Sequence, residues 1–429
     1  MRFINYLIIT LLFSIIAGCN KVPNTYSESD NCIKLSTIRK KDSLNDTFFF
    51  TKMSTKDGRF WDKVYPKVKG IPDSLSGVKV YYKWLDNVQA LYQAYKEGAV
   101  DKADYEYYIE AWGSDTAFCT SRYLKTFVVV ATGNSASGQS YYMYDSNNDF
   151  DLSNEKLHAI KQNTMENQPH KVIFEKYIDT KIKKDSTWIA FYKRKGKMWL
   201  QFCEYAETSF MFDSTTYKIK VFPSKGVKNT YGAATFFEIL NSSNSNLQVL
   251  TQHQYLKLAD SFYRLNINKD GLKLELKKDN DVLKKGSDQV GMPPFSFQGV
   301  SLKGDSLSFP EDYKGKYVLL DFWSTGCSPC VKEIKEHYIE IYEKYGGENF
   351  EIIGVGNDTK KSLQKFNDKF NVKWTTIADG DTRSILRLFN VYQYPTLYLI
   401  DPNGVIISSG QDLRGGRFEQ ILQENIIYN

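Results

Sequence analysis

Residues 317–336 read YVLLDFWSTGCSPCVKEIKE, and they are the most informative part of this sequence. Its first seven residues are apolar except for Asp321, which predicts a buried strand. The residues after Cys330 are typical of a helix, so the intervening turn places Cys327 at the helix start. A helix start offers unpaired N–H groups and a partial positive charge of about +0.5, and both favour a thiolate. Because Cys327 and Cys330 share one helical face, their sulfurs can close and reopen a disulfide.

Three other kinds of site also use a Cys-x-x-Cys pair. A zinc ribbon needs a second Cys or His pair at similar spacing, which this sequence lacks. A c-type haem site needs His after the second cysteine, where Val331 stands. An inert structural disulfide stays open as an alternative, although a clip within one helix closes almost no loop and stabilises little. The pattern therefore predicts redox chemistry.

Several motifs resemble, in order, those of the thioredoxin-like thiol–disulfide oxidoreductases, in particular the envelope-anchored branch of TlpA and ResA type. The resemblance covers about residues 291–429. Besides the cysteine pair, it rests on the opening strand and hairpin, the approach to the redox strand and a proline segment, at 292–297, 304–309, 312–316 and 394–401. The sequence departs from the family at Gly326, where a tryptophan usually precedes the first cysteine.

The chemistry of the pair assigns a role to each cysteine. Disulfide exchange needs a thiolate, so we expect Cys327, the more exposed of the two at the helix start, to be the nucleophile. Cys330 then resolves the mixed disulfide from the next turn. The resemblance places Pro395 opposite the pair, in a cis peptide bond that presents backbone groups to the substrate; an ordinary trans turn is the alternative.

Two carboxyl groups are candidates for proton handling. Asp321 stands where thioredoxins carry a buried carboxylate, and desolvation on a central strand would raise its pKa and suit it to accept the Cys330 proton. A partly solvated structural carboxylate is the alternative. Glu333 matches a glutamate near the site in the ResA-like branch; the alternative is a surface glutamate paired with a lysine. We expect the substrate to contact Tyr394 and Thr396, which flank the proline. Trp323 is expected to pack beside the site, where a core role and a role in contacting the substrate are compatible.

The residues between the cysteines bear on the direction of electron flow. Ser-Pro resembles the reducing members of the family more than the strong oxidants. This implies a periplasmic reductant without a cofactor or metal, which receives electrons from a membrane thiol donor and reduces disulfides in envelope proteins. A peroxiredoxin-like peroxidase needs Pro and Thr where Leu320 and Ser324 stand. A client-specific binding or redox-sensing lipoprotein is the third class of function.

The N-terminus predicts a lipid anchor. Residues 1–18 combine Arg2 with a mostly apolar stretch, which is typical of an export signal. The run Ile16-Ala17-Gly18-Cys19 resembles a bacterial lipobox, so Cys19 is the expected lipidation site. A transmembrane helix is the alternative, but the stretch falls short of the ~20 residues that a spanning helix needs. The chain is therefore expected in the cell envelope, facing the periplasm, at either membrane.

Composition sets the number of domains and narrows the partners. A chain of 429 residues with 42% hydrophobic residues has enough sequence for two or three domains. Its net charge of +6 is spread along the chain, so no nucleic-acid partner is expected. Three cysteines remain besides Cys19 and the redox pair, namely Cys32, Cys119 and Cys203. At most one structural disulfide can form among them.

The remaining pattern predicts two domains. Residues 19–285 form a mostly β accessory domain with helices over 85–96 and 102–112, and 279–288 form a linker. Residues 291–429 alternate strand and helix, which predicts an α/β thioredoxin-like domain with a central mixed sheet flanked by helices. Residues 145–151 are similar to a calcium loop. Phe150 and Lys156 stand where Gly and Glu are needed, which favours an Asx-rich turn.

Overall fold

The structure of the chain is a computed structural model, and its residues divide into two compact units. The first contains Met1–Val249 and Ile267–Leu274, and the second contains Leu250–Asn266 and Glu275–Asn429. The structure describes residues 24–42, 51–56, 60–111, 116–117, 119–160, 168–194, 197–223, 236–243, 247–391 and 393–426. The export signal, Cys19 and Trp112 lie outside the described residues.

The first unit is built mainly of antiparallel strands, which confirms the predicted mostly β architecture. One sheet has the order Ser54–Thr55, Ser76–Trp84, Phe127–Asn134, Ser140–Tyr144 and His158–Ala159. A second has the order His170–Ile178, Lys181–Arg194, Lys197–Phe202 and Thr51–Lys52. A third contains Thr25–Tyr26, Ile38–Lys41, Glu204–Phe212, Thr215–Phe222 and Phe236–Asn241. Further strands are Cys32–Ser36 and Gln248–Thr251, and 3-10 turns occupy Phe60–Lys63 and Leu152–Asn154.

The core of this unit explains why the run Phe127–Val130 is continuously apolar. Val128 and Val130 face a cluster that includes Phe174 and Phe191 of the second sheet. Phe127 and Val129 face the opposite side. Successive residues of a strand point to opposite faces, so a strand covered on both sides needs apolar residues at every position.

The predicted helical insertion is confirmed at Asn87–Lys96 and Lys102–Ala111. It connects Ser76–Trp84 to Phe127–Asn134, two strands that pair with each other. The first helix begins after Asp86, whose side chain accepts a hydrogen bond from the Gln89 N–H. This contact satisfies one of the donors that a helix start leaves unpaired.

The loop that is similar to a calcium site is an Asx-rich turn, as predicted. Asp145 is buried, and its carboxylate accepts backbone N–H groups from Asn148, Asp149 and Phe150 at 2.7, 3.2 and 2.8 Å. Asp149 accepts the Asp151 N–H in the same way. These carboxylate oxygens are used by the backbone of the turn itself.

The second unit contains the predicted α/β domain. Its central sheet has the order Thr375–Ala378, Phe350–Gly356, Tyr317–Trp323, Thr396–Ile400 and Ile406–Ser409. The first three strands are parallel and the last two are antiparallel to their neighbours. The sheet is therefore mixed. The hairpin Phe297–Val300 with Ser306–Phe309 precedes it.

Helices cover both faces of this sheet. They are Ser328–Glu333, which continues through a π-helical segment Ile334–Tyr338 into Ile339–Tyr345, and then Lys360–Phe370, Ser384–Leu388 and Gly415–Ile426. Thr359 caps Lys360–Phe370 by accepting the Ser362 N–H. Short 3-10 turns lie at Glu311–Tyr313 and Gly410–Leu413.

The strand Tyr317–Trp323, here called the redox strand, separates two hydrophobic layers. Leu319 and Trp323 belong to a cluster with Cys330 and Tyr338. Leu320 and Phe322 belong to the opposite cluster with Phe389 and Tyr398. Since alternate residues share a face, Asp321 is on the same side as Leu319 and Trp323. The strand therefore directs one carboxyl into the layer that holds the continuous helical segment from Ser328 to Tyr345, here called the redox helix.

The segment predicted as a linker carries regular structure within the second unit. It includes the helix Val282–Lys285. Val282 packs with Tyr255 and Met292 in a small buried cluster, and Asp279 accepts hydrogen bonds from Lys285 and Tyr255. Other elements here are Tyr255–Leu258 paired with Ser261–Ile267, and the strand Lys273–Lys278.

Among the residues that the structure describes, no helix combines the length and apolar character that crossing a membrane requires.

Candidate active site

The two cysteines of the Cys-x-x-Cys motif are joined in the structure. Their sulfurs are 2.01 Å apart and their Cα atoms 5.3 Å apart. Cys327 is partly exposed, whereas Cys330 is 1% exposed. The structure therefore represents the oxidised state, in which only the first sulfur is open to an incoming molecule.

At the start of the redox helix, one backbone N–H group lies close to the partly exposed sulfur of Cys327. Cys327 is the N-cap of Ser328–Glu333, and the Cys330 N–H lies 3.2 Å from Cys327 Sγ. Pro329 stands in the first turn, where a missing N–H removes no helical hydrogen bond. In the reduced state the same N–H and the helix dipole would stabilise a Cys327 thiolate.

The apolar face of the redox helix anchors it in the core of the domain. Ile334, Tyr338 and Ile341 are each at most 3% exposed, and Tyr345 packs against the same cluster. The π-helical segment contributes Ile334 and Tyr338 to this face. The chain leaves the helix at Gly346. Cys330 is therefore held in the core, and Cys327 lies at the exposed end of a fixed element.

Asp321 is the buried carboxyl of this site. It is 1% exposed, and its Oδ1 has no hydrogen-bond partner among the described residues. Burial, reinforced by the nearby Glu333 and opposed by the Arg414 guanidinium, raises the pKa of Asp321 to about 8. The direction of this shift confirms the prediction from the strand pattern. A group with such a pKa exchanges protons near neutral pH.

Glu333 is partly buried and bound to the backbone. Its Oε2 accepts the Gly415 N–H at 2.9 Å, across 82 residues of sequence. The neighbouring Lys332 pairs instead with Glu336, at 3.7 Å. Glu333 also opposes ionisation of Asp321. The structure thus binds this carboxylate to the start of the C-terminal helix and places it close enough to Asp321 to raise its pKa.

The proline segment has the predicted cis peptide bond, between Tyr394 and Pro395. Tyr394 is partly buried and packs against the cluster that contains Cys330. Thr396 begins the strand beside the redox strand, opposite Phe322, and its hydroxyl donates to the Gln393 carbonyl at 2.8 Å. These contacts fix the backbone on either side of Pro395.

Trp323 does not form part of an open surface. Its side chain is 1% exposed and packs against Phe366, with ring centroids 4.8 Å apart. The expectation that it contacts the substrate is therefore corrected, because the core encloses its ring. The periodicity of the strand could have indicated this burial, since Leu319, Asp321 and Trp323 are alternate residues and therefore face the same buried layer.

The turn before Cys327 is fixed by Asp358. The Thr325 N–H and hydroxyl donate to this carboxylate at 2.8 and 2.7 Å. At Gly326, a Cβ atom would meet only Ser324 Oγ, at 3.8 Å. The position where the family usually carries tryptophan is therefore open space beside the exposed cysteine.

Sequence reasoning missed two participants. Arg414 donates to the Pro395 carbonyl at 3.3 Å, and Tyr338 donates from its hydroxyl to the Leu413 carbonyl at 3.2 Å. Burial raises the pKa of Tyr338, and Asp321 and Glu333 add to this effect. Arg414 reaches the site from a distant part of the sequence, whereas Tyr338 lies eight residues after Cys330 on the same continuous helix, and no local motif predicts either contact.

Comparisons with known proteins agree on the C-terminal third. Residues 290–409 match the AhpC/TSA family. The thiol-disulfide oxidoreductase ResA of Bacillus thuringiensis subsp. konkukian (strain 97-27) is 31% identical over 137 residues, which are 32% of this chain and 76% of that protein. ResA of Geobacillus kaustophilus (strain HTA426) is 35% identical over 118 residues, 27% of this chain and 66% of the relative.

Solved structures give the same kind of match. The crystal structure of a thioredoxin domain of a thiol-disulfide oxidoreductase from Bacteroides vulgatus is 30% identical and covers 32% of this chain and 96% of its own, with a TM-score of 0.29. The solution structure of a thiol:disulfide interchange protein from Bacteroides sp. is also 30% identical, and covers 32% and 89%, with a TM-score of 0.29.

The mixed sheet, with its cysteine pair and its cis-proline, is that of a thioredoxin-like thiol–disulfide oxidoreductase, and the sequence relatives carry the same activity in their names. Within this class of enzymes, the chain belongs to the ResA family, by identity over 76% of a relative's length.

Proposed function

We propose that this protein is a lipid-anchored envelope reductant that transfers two electrons from its cysteine pair to disulfides of other envelope proteins. One observation carries the proposal. The partly exposed Cys327 begins a helix and is bonded to a cysteine that is 1% exposed. This asymmetry supports one attacking and one resolving sulfur.

The exchange has two steps. The Cys327 thiolate attacks one sulfur of a substrate disulfide, so a mixed disulfide forms and the first substrate sulfur leaves as a thiolate. The Cys330 thiolate then attacks Cys327 Sγ, and the second substrate sulfur leaves. The substrate gains two electrons and, at neutral pH, two protons. The enzyme ends with the Cys327–Cys330 disulfide that the structure contains.

Asp321 is the proposed acceptor of the Cys330 proton. It lies on the buried face of the redox strand, in the layer that holds Cys330. With a pKa of about 8 in the oxidised state, it keeps a proton at neutral pH. This is the protonation state expected after the resolving step. Glu333, bound to Gly415, helps to set this pKa and is the second proposed member of the proton path.

The backbone around Pro395 is the proposed substrate contact. A proline has no N–H, so this position leaves the neighbouring carbonyl and N–H groups to pair with an extended substrate segment. Tyr394 and Thr396 flank it, and Tyr394 shares a hydrophobic cluster with Cys327. We assign the role of substrate contact to these two residues and not to Trp323.

The proposed location and partners follow from the two ends of the chain. Cys19 would carry the lipid, with 1–18 removed as an export signal. A membrane thiol carrier would reduce the enzyme after each turnover. The region 19–285 would serve as an accessory domain that selects the client ahead of the redox domain at 291–429.

A peroxidase function finds no support in the residues beside the cysteine. Its proline position is occupied by Leu320, a fully buried residue in the middle of the redox strand. Its threonine position is occupied by Ser324, whose Oγ accepts the Gly326 N–H at 3.3 Å. These residues fix the turn and leave the peroxidase motif incomplete.

We expect Cys327 in the reduced full chain to be alkylated by iodoacetamide much faster than a free thiol at pH 6. A free thiol has a pKa of about 8.5, so less than about 1% of it is thiolate at that pH. A helix-stabilised thiolate should react at least about tenfold faster. Mass spectrometry of the Cys327 peptide would give the rate.

Two comparisons make this measurement decisive. Glutathione provides the free-thiol reference, and Cys330→Ser removes the second thiol of the pair without changing the helix start. A Cys327 rate no higher than that of glutathione would contradict the proposal.

We also expect a reducing potential for the pair when the full chain is equilibrated with glutathione buffers. The strongest oxidants of this class have midpoints near −120 mV, and reductants lie about 100 mV or more below this value. Because 30 mV corresponds to about 1.4 kcal/mol for two electrons, the two cases are easily separated. A midpoint near −120 mV would exclude a reductant and leave an oxidant.

A further inference from the structure

The guanidinium of Arg414 contacts the segment proposed to bind substrate. Its Nη2 donates to the Pro395 carbonyl at 3.3 Å. Its Nε is buried and has no hydrogen-bond partner among the described residues. The side chain is therefore held at the proline segment by a single polar contact, made with a backbone group of the site.

The residues on either side of Arg414 are bound to the redox helix. The Leu413 carbonyl accepts from the Tyr338 hydroxyl at 3.2 Å, and the Gly415 N–H donates to Glu333 at 2.9 Å. Leu413 itself is fully buried. The turn 413–415 thus joins the redox helix to the proline segment, with Arg414 as the link to the segment.

The charge of Arg414 also acts on the site. The Arg414 guanidinium lowers the pKa of Asp321, against the rise that burial and the Glu333 carboxylate produce. A charged donor makes a stronger hydrogen bond than a neutral one, and more so in a partly buried position.

We propose that Arg414 is a positioning residue for protein substrates: by holding the Pro395 carbonyl, it fixes the distance between the substrate-pairing backbone and the redox pair. The proposal rests on the proposed function, since it concerns how that function selects extended polypeptides. It assigns Arg414 no part in the sulfur chemistry itself.

The proposal predicts an effect that depends on the substrate. A protein disulfide must lie along the backbone at residues 394–396 while its sulfur meets Cys327. A small disulfide such as bis(2-hydroxyethyl) disulfide needs only the sulfur. Loss of one charge-assisted hydrogen bond should therefore slow the reduced full chain about tenfold with insulin and less than about twofold with the small disulfide.

Three substitutions test this prediction. Arg414→Met keeps most of the apolar stem and removes both charge and donors. Arg414→Lys restores a charged donor and should recover the insulin rate to within about threefold of wild type. Arg417→Met is the matched control, because Arg417 is an exposed arginine of the helix Gly415–Ile426, which begins directly after Arg414, and its guanidinium contacts only Gln420, at 3.4 Å, in the described structure.

The second-order rate constants of the pre-reduced proteins decide between the outcomes. A selective loss with insulin in Arg414→Met, rescued by lysine, supports the proposal. Equal losses with both substrates, or no loss with insulin, overturn it while an active wild type leaves the proposed function intact. An inactive wild type overturns the proposed function and this inference with it. Should Arg414→Met not fold, Arg414→Gln replaces it in the same comparison.

Discussion

Cys330→Ser is expected to abolish turnover and to capture substrates as stable mixed disulfides. Without the second sulfur, nothing in the site can displace the substrate from Cys327. Release of reduced insulin by the pre-reduced full chain, measured in a single turnover without added thiol so that no small thiol resolves the adduct, should fall by more than about a thousandfold, as for the loss of a catalytic nucleophile. The adduct would be measured by non-reducing electrophoresis and mass spectrometry.

The two sulfurs differ in burial, so the matched variant Cys327→Ser should behave differently from Cys330→Ser. Cys330 is 1% exposed, so it cannot meet a substrate before Cys327 does. Cys327→Ser should therefore lose turnover equally but form no adduct. Capture by Cys327→Ser instead of Cys330→Ser would reverse the assigned roles. The same Cys330→Ser protein, used on envelope extracts, would identify the client by mass spectrometry of the adduct.

The parts of this site that are local in sequence could be predicted from it. The strand, the turn and the helix within 317–345 can be recognised from local sequence alone, because apolar periodicity indicates the strand and the helix and Pro329 marks the first turn of the helix. The raised pKa of Asp321 also follows from one strand, because a carboxyl between apolar neighbours on a central strand must be buried. The prediction of a cis peptide bond before Pro395 rests on the family resemblance.

Contacts between distant segments could not be predicted. Glu333 meets Gly415 across 82 residues, and Arg414 meets Pro395 across 19. No periodicity links such positions, because their distance depends on how the C-terminal helix packs across the sheet. The contact of Trp323 with Phe366, on a later helix, depends on the same packing, although the strand periodicity already indicates which side of the strand Trp323 occupies. Tertiary structure thus decides which polar residues reach the cysteine pair.

Charged groups from distant segments also help to determine the protonation state of the buried Asp321 carboxyl. Asp321 has no partner for Oδ1 in the described part of the chain, and an ionised group in such a place is strongly disfavoured. The Arg414 guanidinium offsets part of this penalty, and Glu333 increases it. The balance leaves a carboxyl that is mostly protonated at neutral pH in the oxidised enzyme.

Asp321→Asn is expected to make the oxidised protein more stable than wild type at high pH, by an amount that grows with pH. The pKa of Asp321 is about 8 in the folded state and 3.8 as the ordinary value. Between these values the unfolded chain has lost the proton and the folded one keeps it. Wild-type stability therefore falls as pH rises through this window, by about 1.4 kcal/mol per pH unit, and levels off above the folded pKa.

Chemical denaturation at pH 5 and pH 9 measures this effect. The free energy of unfolding of Asp321→Asn minus that of wild type should rise by about 4 kcal/mol between the two conditions, since about three pH units of the window lie between them. The difference cancels the titration of all other groups. Asp381→Asn, which changes an exposed aspartate of the same domain, should show no such rise. A difference independent of pH would mean that Asp321 is ionised in the folded protein at pH 5, and it could not then hold the proton of Cys330.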